Sequence, residues 1–470
     1  MDVLVLGNPG VGKTYNLVKT IKKFIEDGYS PHDITVLSHT RVAAKEIAKR
    51  AGASGANAST VHSLAYRLAE IDKSQVVSFK ELKEFSESIG VPLKGSSGDN
   101  DEFIGMGDEY LATIGYSEAC CIPVQWAYKD KGMPGSLSDF EFFYHNYISW
   151  KKAYGLIDFD DMLDLAIKSE IKEKFPVLLI DEAQDLSNKQ WMLIEKISKN
   201  TKEMVVTGDP DQALFVWGGA YPQGMMDWAG SKKASIVELT QSYRVPIEAY
   251  KLSRSIIRGV KDRYEKDYKP TDTVGNIDTY LSVCHFDFST IGPALILYRN
   301  HVLRRSVEEE LIRNNIAYTT LNGFPGMCGS KYGRGVKAWL DMRNSKVITE
   351  SDINKLKVIA TVKMQKAIWS EDVDAILSMS AEEALNIPYE YLSYYRNIDF
   401  SKSGDVLLST IHGAKGMEHN NVILINGITQ RVMDEAMANS DAEHHVWFVA
   451  VTRTSDKLTI IDGEGVHGPL

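Results

Sequence analysis

The sequence predicts an α/β chain built on parallel sheets, with its chemistry gathered at the carboxyl ends of the strands. Three segments carry that expectation. Each is a short apolar run of strand length that breaks into a glycine-rich or acidic loop: Val3–Leu6 into Gly7, Val177–Ile180 into Asp181, and Met204–Thr207 into Gly208. Short apolar runs bounded by loop residues are the pattern of buried strands. Ligands of open parallel sheets bind outside the carboxyl ends of such strands.

The first run leads into Gly7-Asn8-Pro9-Gly10-Val11-Gly12-Lys13-Thr14, a full GxxxxGK[ST] match. Glycines let backbone N–H groups turn inward around a phosphate, and the following helix, expected from Tyr15 to Glu26, presents its positive end. Lys13 has the reach for β- and γ-phosphates, and the Thr14 hydroxyl suits Mg²⁺. The second run ends on Asp181-Glu182-Ala183-Gln184-Asp185. Asp181 is expected to hold the Mg²⁺ and Glu182 to polarise an attacking water, the parts that phosphoryl transfer needs beside a phosphate cradle. The third run ends on Gly208-Asp209-Pro210-Asp211-Gln212, where the Gln212 amide is a candidate sensor of the γ-phosphate.

Composition sets the outer bounds. A length of 470 residues allows about two to four domains. Hydrophobic residues at 44% and charged residues at 25% are ordinary for a soluble globular chain, and no apolar run approaches the roughly 18 residues needed to span a bilayer. Met1–Leu6 lacks a basic leader and is expected to be a first strand, not a signal peptide. Cys120, Cys121, Cys284 and Cys328 show no metal-binding spacing and are expected as free thiols in a reducing cytoplasm. A net charge of −10 excludes a coat of positive charge but not a local basic and aromatic groove for a single strand.

Six segments in order, GNPGVGKT, IDEAQDLS, GDPDQALFVWGGA, QSYR, TIHGAKGME and VAVTRT, resemble the superfamily 1A helicases of the UvrD/PcrA/Rep type, and they span Leu6 to Thr454. The resemblance implies two RecA-like P-loop NTPase domains, each a parallel sheet, with ATP between them and Mg²⁺ as cofactor. It implies Tyr243 on the adenine, Arg244 on the γ-phosphate, Glu418 at the ribose and Arg453 as a second arginine finger. A finger is useful because it stabilises charge on the transferring phosphoryl group. The resemblance also implies single-strand contacts at His39 and Thr40, at Thr60 and His62, at Phe215 and Trp217, and at His412. Asp158–Leu163, reading DFDDML, resembles a further segment of this branch. The implied activity is ATP-driven 3′→5′ movement on single-stranded DNA with unwinding at duplex junctions, in the cytoplasm at the nucleoid, with a protein loading partner left open. A translocase that strips bound proteins and a nucleotide-gated binding switch are the alternatives.

Three departures qualify the resemblance. His39 stands where the family often has phenylalanine, and Gly218 where it usually has arginine. The phosphate loop also lies too near Met1 to be preceded by the family's adenine-reading glutamine, so looser nucleotide choice is expected. The expected organisation is a first core over 1–70 and 155–240 with a helical insertion at 71–154. A second core follows over 241–330 and 403–470, with a small insertion at 331–402.

Overall fold

The structure, a computed structural model, describes residues 1–93, 105–261, 263–321, 331–388, 391–394, 404–463 and 470. Residues 94–101 of the first insertion and Cys328 lie outside the described residues; Cys120, Cys121 and Cys284 are free thiols. The chain divides into two compact units. Unit 1 comprises Met1–Val274 with Glu435–Thr452, and unit 2 comprises Gly275–Asp434 with Arg453–Leu470. Unit 1 therefore runs past Gln241, where the second core was expected to begin; Ser242, Tyr243 and Tyr268 of the added stretch hydrogen-bond to its phosphate loop.

Unit 1 holds a six-stranded parallel sheet. Its strands are β1 (Asp2–Gly7), β2 (Ile34–Leu37), β3 (Asn57–Ser59), β4 (Val177–Ile180), β5 (Glu203–Gly208) and β6 (Ser235–Leu239), in the order β3-β2-β4-β5-β1-β6. The apolar runs read in the sequence are its central strands. Their alternate residues feed two separate cores. Leu178, Ile180, Met204 and Val206 pack on one face, and Val177, Leu179 and Val205 on the other. Both faces are covered, which is why these strands carry no polar alternation. The helices α1 (Lys13–Glu26), α2 (Arg41–Arg50) and α3 (Val61–Leu68) follow β1, β2 and β3 in turn.

The first insertion is helical, as its composition suggests: Phe79–Ser88, Met106–Cys120, Val124–Asp130 and Leu137–Tyr154 surround an aromatic core of Phe85, Tyr110, Phe140, Phe143 and Tyr147. Unit 2 holds a second six-stranded parallel sheet. Its strands are β7 (Asn276–Tyr280), β8 (Ala294–Tyr298), β9 (Tyr318–Thr320), β10 (Val406–Thr410), β11 (His419–Asn426) and β12 (Thr454–Asp462), in the order β7-β12-β11-β8-β10-β9. Short helices from Lys331 to Ala384 share its core through Trp339, Met364 and Ile376. Among the described residues no helix is long and apolar enough to cross a membrane.

A charged seam ties the first insertion to the core. Asp158 caps the helix Phe159–Lys168, accepting from the N–H groups of Asp160 (3.0 Å) and Asp161 (2.9 Å). It also accepts from Lys151 Nζ at 2.5 Å and Tyr147 OH at 2.8 Å. Burial, and then the Asp158 charge, push the Asp160 carboxyl up to about 7. A folded pKa above the unfolded value means that Asp160 favours the fold while protonated, and that this contribution falls as pH rises from about 4 to about 7. Asp160→Asn should therefore stabilise the chain by on the order of 1–2 kcal/mol at pH 8 and by less at pH 5. Urea denaturation at the two pH values checks this, and a gain independent of pH would contradict it.

Candidate nucleotide and strand-binding site

The carboxyl ends of three neighbouring strands, β4, β5 and β1, bring the nucleotide elements together. Gly10 and Gly12 sit at φ of 75° and 82°, which glycine adopts without steric cost. A Cβ on Gly10 would also lie 2.5 Å from the Arg244 Cβ and 2.7 Å from the Ser242 Oγ. The loop is braced by the segment after β6. The Ser242 and Tyr268 hydroxyls each donate to the Pro9 carbonyl at 3.0 Å, and the Tyr243 N–H donates to the Gly10 carbonyl at 2.9 Å. This brace leaves Tyr243 77% exposed beside the loop.

Lys13 is buried, with Nζ donating to the Gly7 carbonyl at 2.8 Å. Burial lowers its pKa against the pull of Asp209, Glu182 and Asp181, while Arg244 adds to the lowering. Lys13, Asp181, Glu182 and Arg244 thus form one electrostatic group. Asp181 is buried and accepts from the Thr207 hydroxyl at 2.6 Å. Burial, then the Glu182 charge, push its carboxyl up to about 6. Such a carboxylate is disfavoured as an anion and would be relieved by a divalent cation. Among the described residues there is no cluster of three or more His, Cys, Asp and Glu side chains fit to hold a metal. Mg²⁺ at a nucleotide needs none, since one or two protein oxygens complete a shell of phosphate and water. Asp181 and Thr14, in the first turn of α1, fit that requirement.

Gln212 is held by a neighbouring side chain. Its Nε2 donates to Asp209 Oδ2 at 2.6 Å, inside a buried charge cluster that the sequence reading missed. Lys266 Nζ lies 2.7 Å from Asp209 and 2.9 Å from Asp211, and Arg263 grips Asp211 with two bonds of 2.9 and 2.8 Å. Asp209 and Asp211 were visible in the GDPDQ segment, but nothing near them in sequence pointed to cations more than fifty residues away.

The residues expected to touch a single strand fall into two groups. In unit 1, Thr40 caps α2, accepting from Ala43 N–H at 3.1 Å, and Thr60 caps α3, accepting from Ser63 N–H at 3.2 Å. Arg41 Nε donates to Ser63 Oγ at 2.7 Å and ties the two helix starts together. The His39 and Phe215 rings stack at 4.7 Å and 13°. His62 is held by Gln190 (3.3 Å) and edge-on to Phe159, and burial lowers its pKa. Trp217 is 58% exposed, and its carbonyl accepts from Lys131 of the insertion. His412 lies in unit 2, as do Glu418 and Arg453, which were expected at the nucleotide. Arg453 Nη1 donates to the Met417 carbonyl at 3.3 Å, and the His419 N–H donates to the Arg453 carbonyl at 3.1 Å, so Arg453 and Glu418 are neighbours. His412 stands just beyond β10.

Comparison with known proteins agrees with both halves. A profile described as an AAA domain matches residues 2–217, and one described as the UvrD-like helicase C-terminal domain matches residues 353–464. The chain belongs to the UvrD/PcrA/Rep-like helicases. Its two parallel sheets are the RecA-like α/β domains of that family. DNA helicase II of Haemophilus influenzae is 24% identical over 372 residues, covering 68% of this chain and 49% of the relative. ATP-dependent DNA helicase Rep of Buchnera aphidicola is 24% identical over 361 residues, covering 67% and 53%. ATP-dependent DNA helicase PcrA of Leuconostoc citreum is 22% identical over 370 residues, covering 68% and 48%. The chain spans about half the length of the curated relatives it matches.

In this UvrD-like chain the buried cluster gives a direct stability test. Lys266→Met leaves Asp209 without its hydrogen-bonded cation and should destabilise unit 1 by about 3–5 kcal/mol. Chemical denaturation measures the loss, and a change below about 1 kcal/mol would show that Asp209 is not held by this pair.

Proposed function

We propose that the chain is an ATP hydrolase that moves 3′→5′ along single-stranded DNA and opens duplex at junctions. The observation that carries this reading is the assembly, within unit 1, of the phosphate loop, the Asp181–Glu182 pair and the capped starts of α2 and α3. The names of the relatives, all DNA helicases, support only its ATP-driven DNA-helicase part. Bound Mg²⁺, held by Thr14 and Asp181, would neutralise charge on the phosphate oxygens. Lys13 binds the β- and γ-phosphates, Tyr243 stacks on the base, and Arg244 adds positive charge at the γ-phosphate. Glu182 orients the attacking water and takes up its proton. Gln212 reports the γ-phosphate by exchanging its bond to Asp209 for one to the nucleotide. Arg453 stabilises the transferring phosphoryl group, and Glu418 meets the ribose.

For the strand, Thr40 and Thr60 mark two adjacent helix N-termini, which suit backbone phosphates. The His39–Phe215 stack, His62 and the exposed face of Trp217 offer base contacts without sequence preference. His412 adds a contact from unit 2. The 3′→5′ direction rests on TIHGAKGME and DFDDML, which resemble that branch. The cytoplasm, at the nucleoid, is the matching location, and a separate protein that loads the motor is compatible with it.

Lys13→Ala should abolish hydrolysis and weaken nucleotide binding, because a phosphate charge partner is lost. Glu182→Gln should keep binding and lose turnover. Equal loss of ATP affinity in both variants, measured by fluorescent-nucleotide titration, would refute this division of roles.

Direction is tested by streptavidin displacement from end-biotinylated oligonucleotides. Displacement should be faster from the 5′ end, and Trp217→Ala should slow it while leaving strand-independent ATP hydrolysis in place. Faster displacement from the 3′ end would reverse the polarity, and an unaffected Trp217→Ala would remove that ring from the path.

A further inference from the structure

Glu182 holds an unusual backbone conformation. Its φ is 54°, in the left-handed region that few non-glycine residues enter. The carboxylate so presented is met by a fully buried side chain, Gln184, whose Nε2 donates to Glu182 Oε2. The other end of the same amide is pinned: Gln184 Oε1 accepts from the Asp209 backbone N–H at 3.0 Å. A backbone N–H only donates, so the amide oxygen must face Asp209 and the NH₂ group must face Glu182. The orientation is therefore fixed by chemistry.

The anchor is itself rigid without Gln212. Asp209 is fully buried, and its carboxylate is held by Lys266 and by the Asp211 N–H. On the other side, Gly208 leaves Gln184 its space: a Cβ there would sit 2.8 Å from Gln184 Oε1 and 3.0 Å from the Met225 side chain.

We propose that Gln184 is a positioning residue for hydrolysis: it carries the rigidity of the β5 terminus to the Glu182 carboxylate and holds it in the orientation that directs the attacking water. The inference rests on the assignment of Glu182 to that water. In this proposal Gln184 acts through Glu182 and through no contact of its own with the reacting groups. A carboxylate on a flexible side chain loses orientation when its supporting donor is removed, and loss of such support typically costs about 10–100-fold in activity.

Strand-stimulated ATP hydrolysis by the full chain tests this. Gln184→Met keeps the volume and removes both hydrogen bonds. It should lower kcat about 10–100-fold while KM for ATP stays within about threefold, the pattern of an interaction that matters only in the transition state. Gln184→Glu keeps an acceptor for the Asp209 N–H but presents no donor to Glu182, so it should fall at least as far. Recovery of the rate in Gln184→Glu would show that Gln184 only anchors β5 and would overturn the proposal. In a Glu182→Gln background, Gln184→Met should change the residual rate by less than about twofold, because the two residues act as one unit; losses that multiply would overturn it. If Gln184→Met does not fold, Gly208→Ala displaces the amide from the other side and should show the same fall in kcat at unchanged KM. An active wild type with Gln184→Met at the wild-type rate overturns this proposal alone, whereas an inactive wild type overturns the hydrolysis reading together with it.

Discussion

Asp209 stands at the carboxyl end of β5 with no exposed surface, and a buried carboxylate is tolerated only when cations and donors surround it. Its partners come from three parts of the chain: Lys266 from the segment after β6, Gln212 from the turn that follows, and Gln184 from the acidic loop after β4 through the Asp209 N–H. Meeting the needs of one buried charge thereby draws the acidic loop, the GDPDQ turn and the bracing segment to a common point. The same segment reaches the phosphate loop through Ser242 and Tyr268. The geometry of Lys13, Asp181 and Glu182 follows from this packing as much as from the strands that carry them.

Within the group, neutral donors and charged partners have different tasks. Lys266 and Arg263 offset the buried carboxylates of Asp209 and Asp211 and hold tertiary structure. Thr207 and Gln184 instead donate single hydrogen bonds to Asp181 and Glu182, orienting them without supplying a charge that would compete with a metal or a phosphate. Lys13 is the cation of the site proper, and burial keeps its pKa lowered even among three carboxylates. A polyanionic ligand would restore the balance that burial opposes, which is the electrostatic logic of a phosphate site.

The edge proposed to face the strand uses a different principle. Here helix starts, hydroxyls and rings replace buried charge, in keeping with a chain whose net charge is −10. Thr40 and Thr60 spend their hydroxyls on capping and are linked by Arg41 and Ser63, so the two helix ends form a single rigid edge. His39, standing where the family often has phenylalanine, stacks on Phe215.

Much of this was legible in the sequence because the information was local. An apolar run followed by GxxxxGKT, or by DEAQD, reports a strand, a loop and a helix start within a few residues, and the structure forms β1, α1 and β4 at those places. The helical character of the first insertion was legible for the same reason. What sequence could not reveal were pairings set by long-range packing. Arg263 and Lys266 look like surface charges in a stretch of mixed charge, yet they are buried on Asp209 and Asp211. Gln184 reads as a loop residue until the Asp209 N–H fixes its amide, and the reach of unit 1 to Val274 depends on hydroxyls finding the Pro9 carbonyl. The sequence by itself determined where β1, the phosphate loop, α1 and β4 form, since backbone hydrogen bonding and side-chain type decide that over short distances. Tertiary structure alone decided how those residues are held, because the partners of a buried charge are chosen by whatever the folded chain brings within about 3 Å.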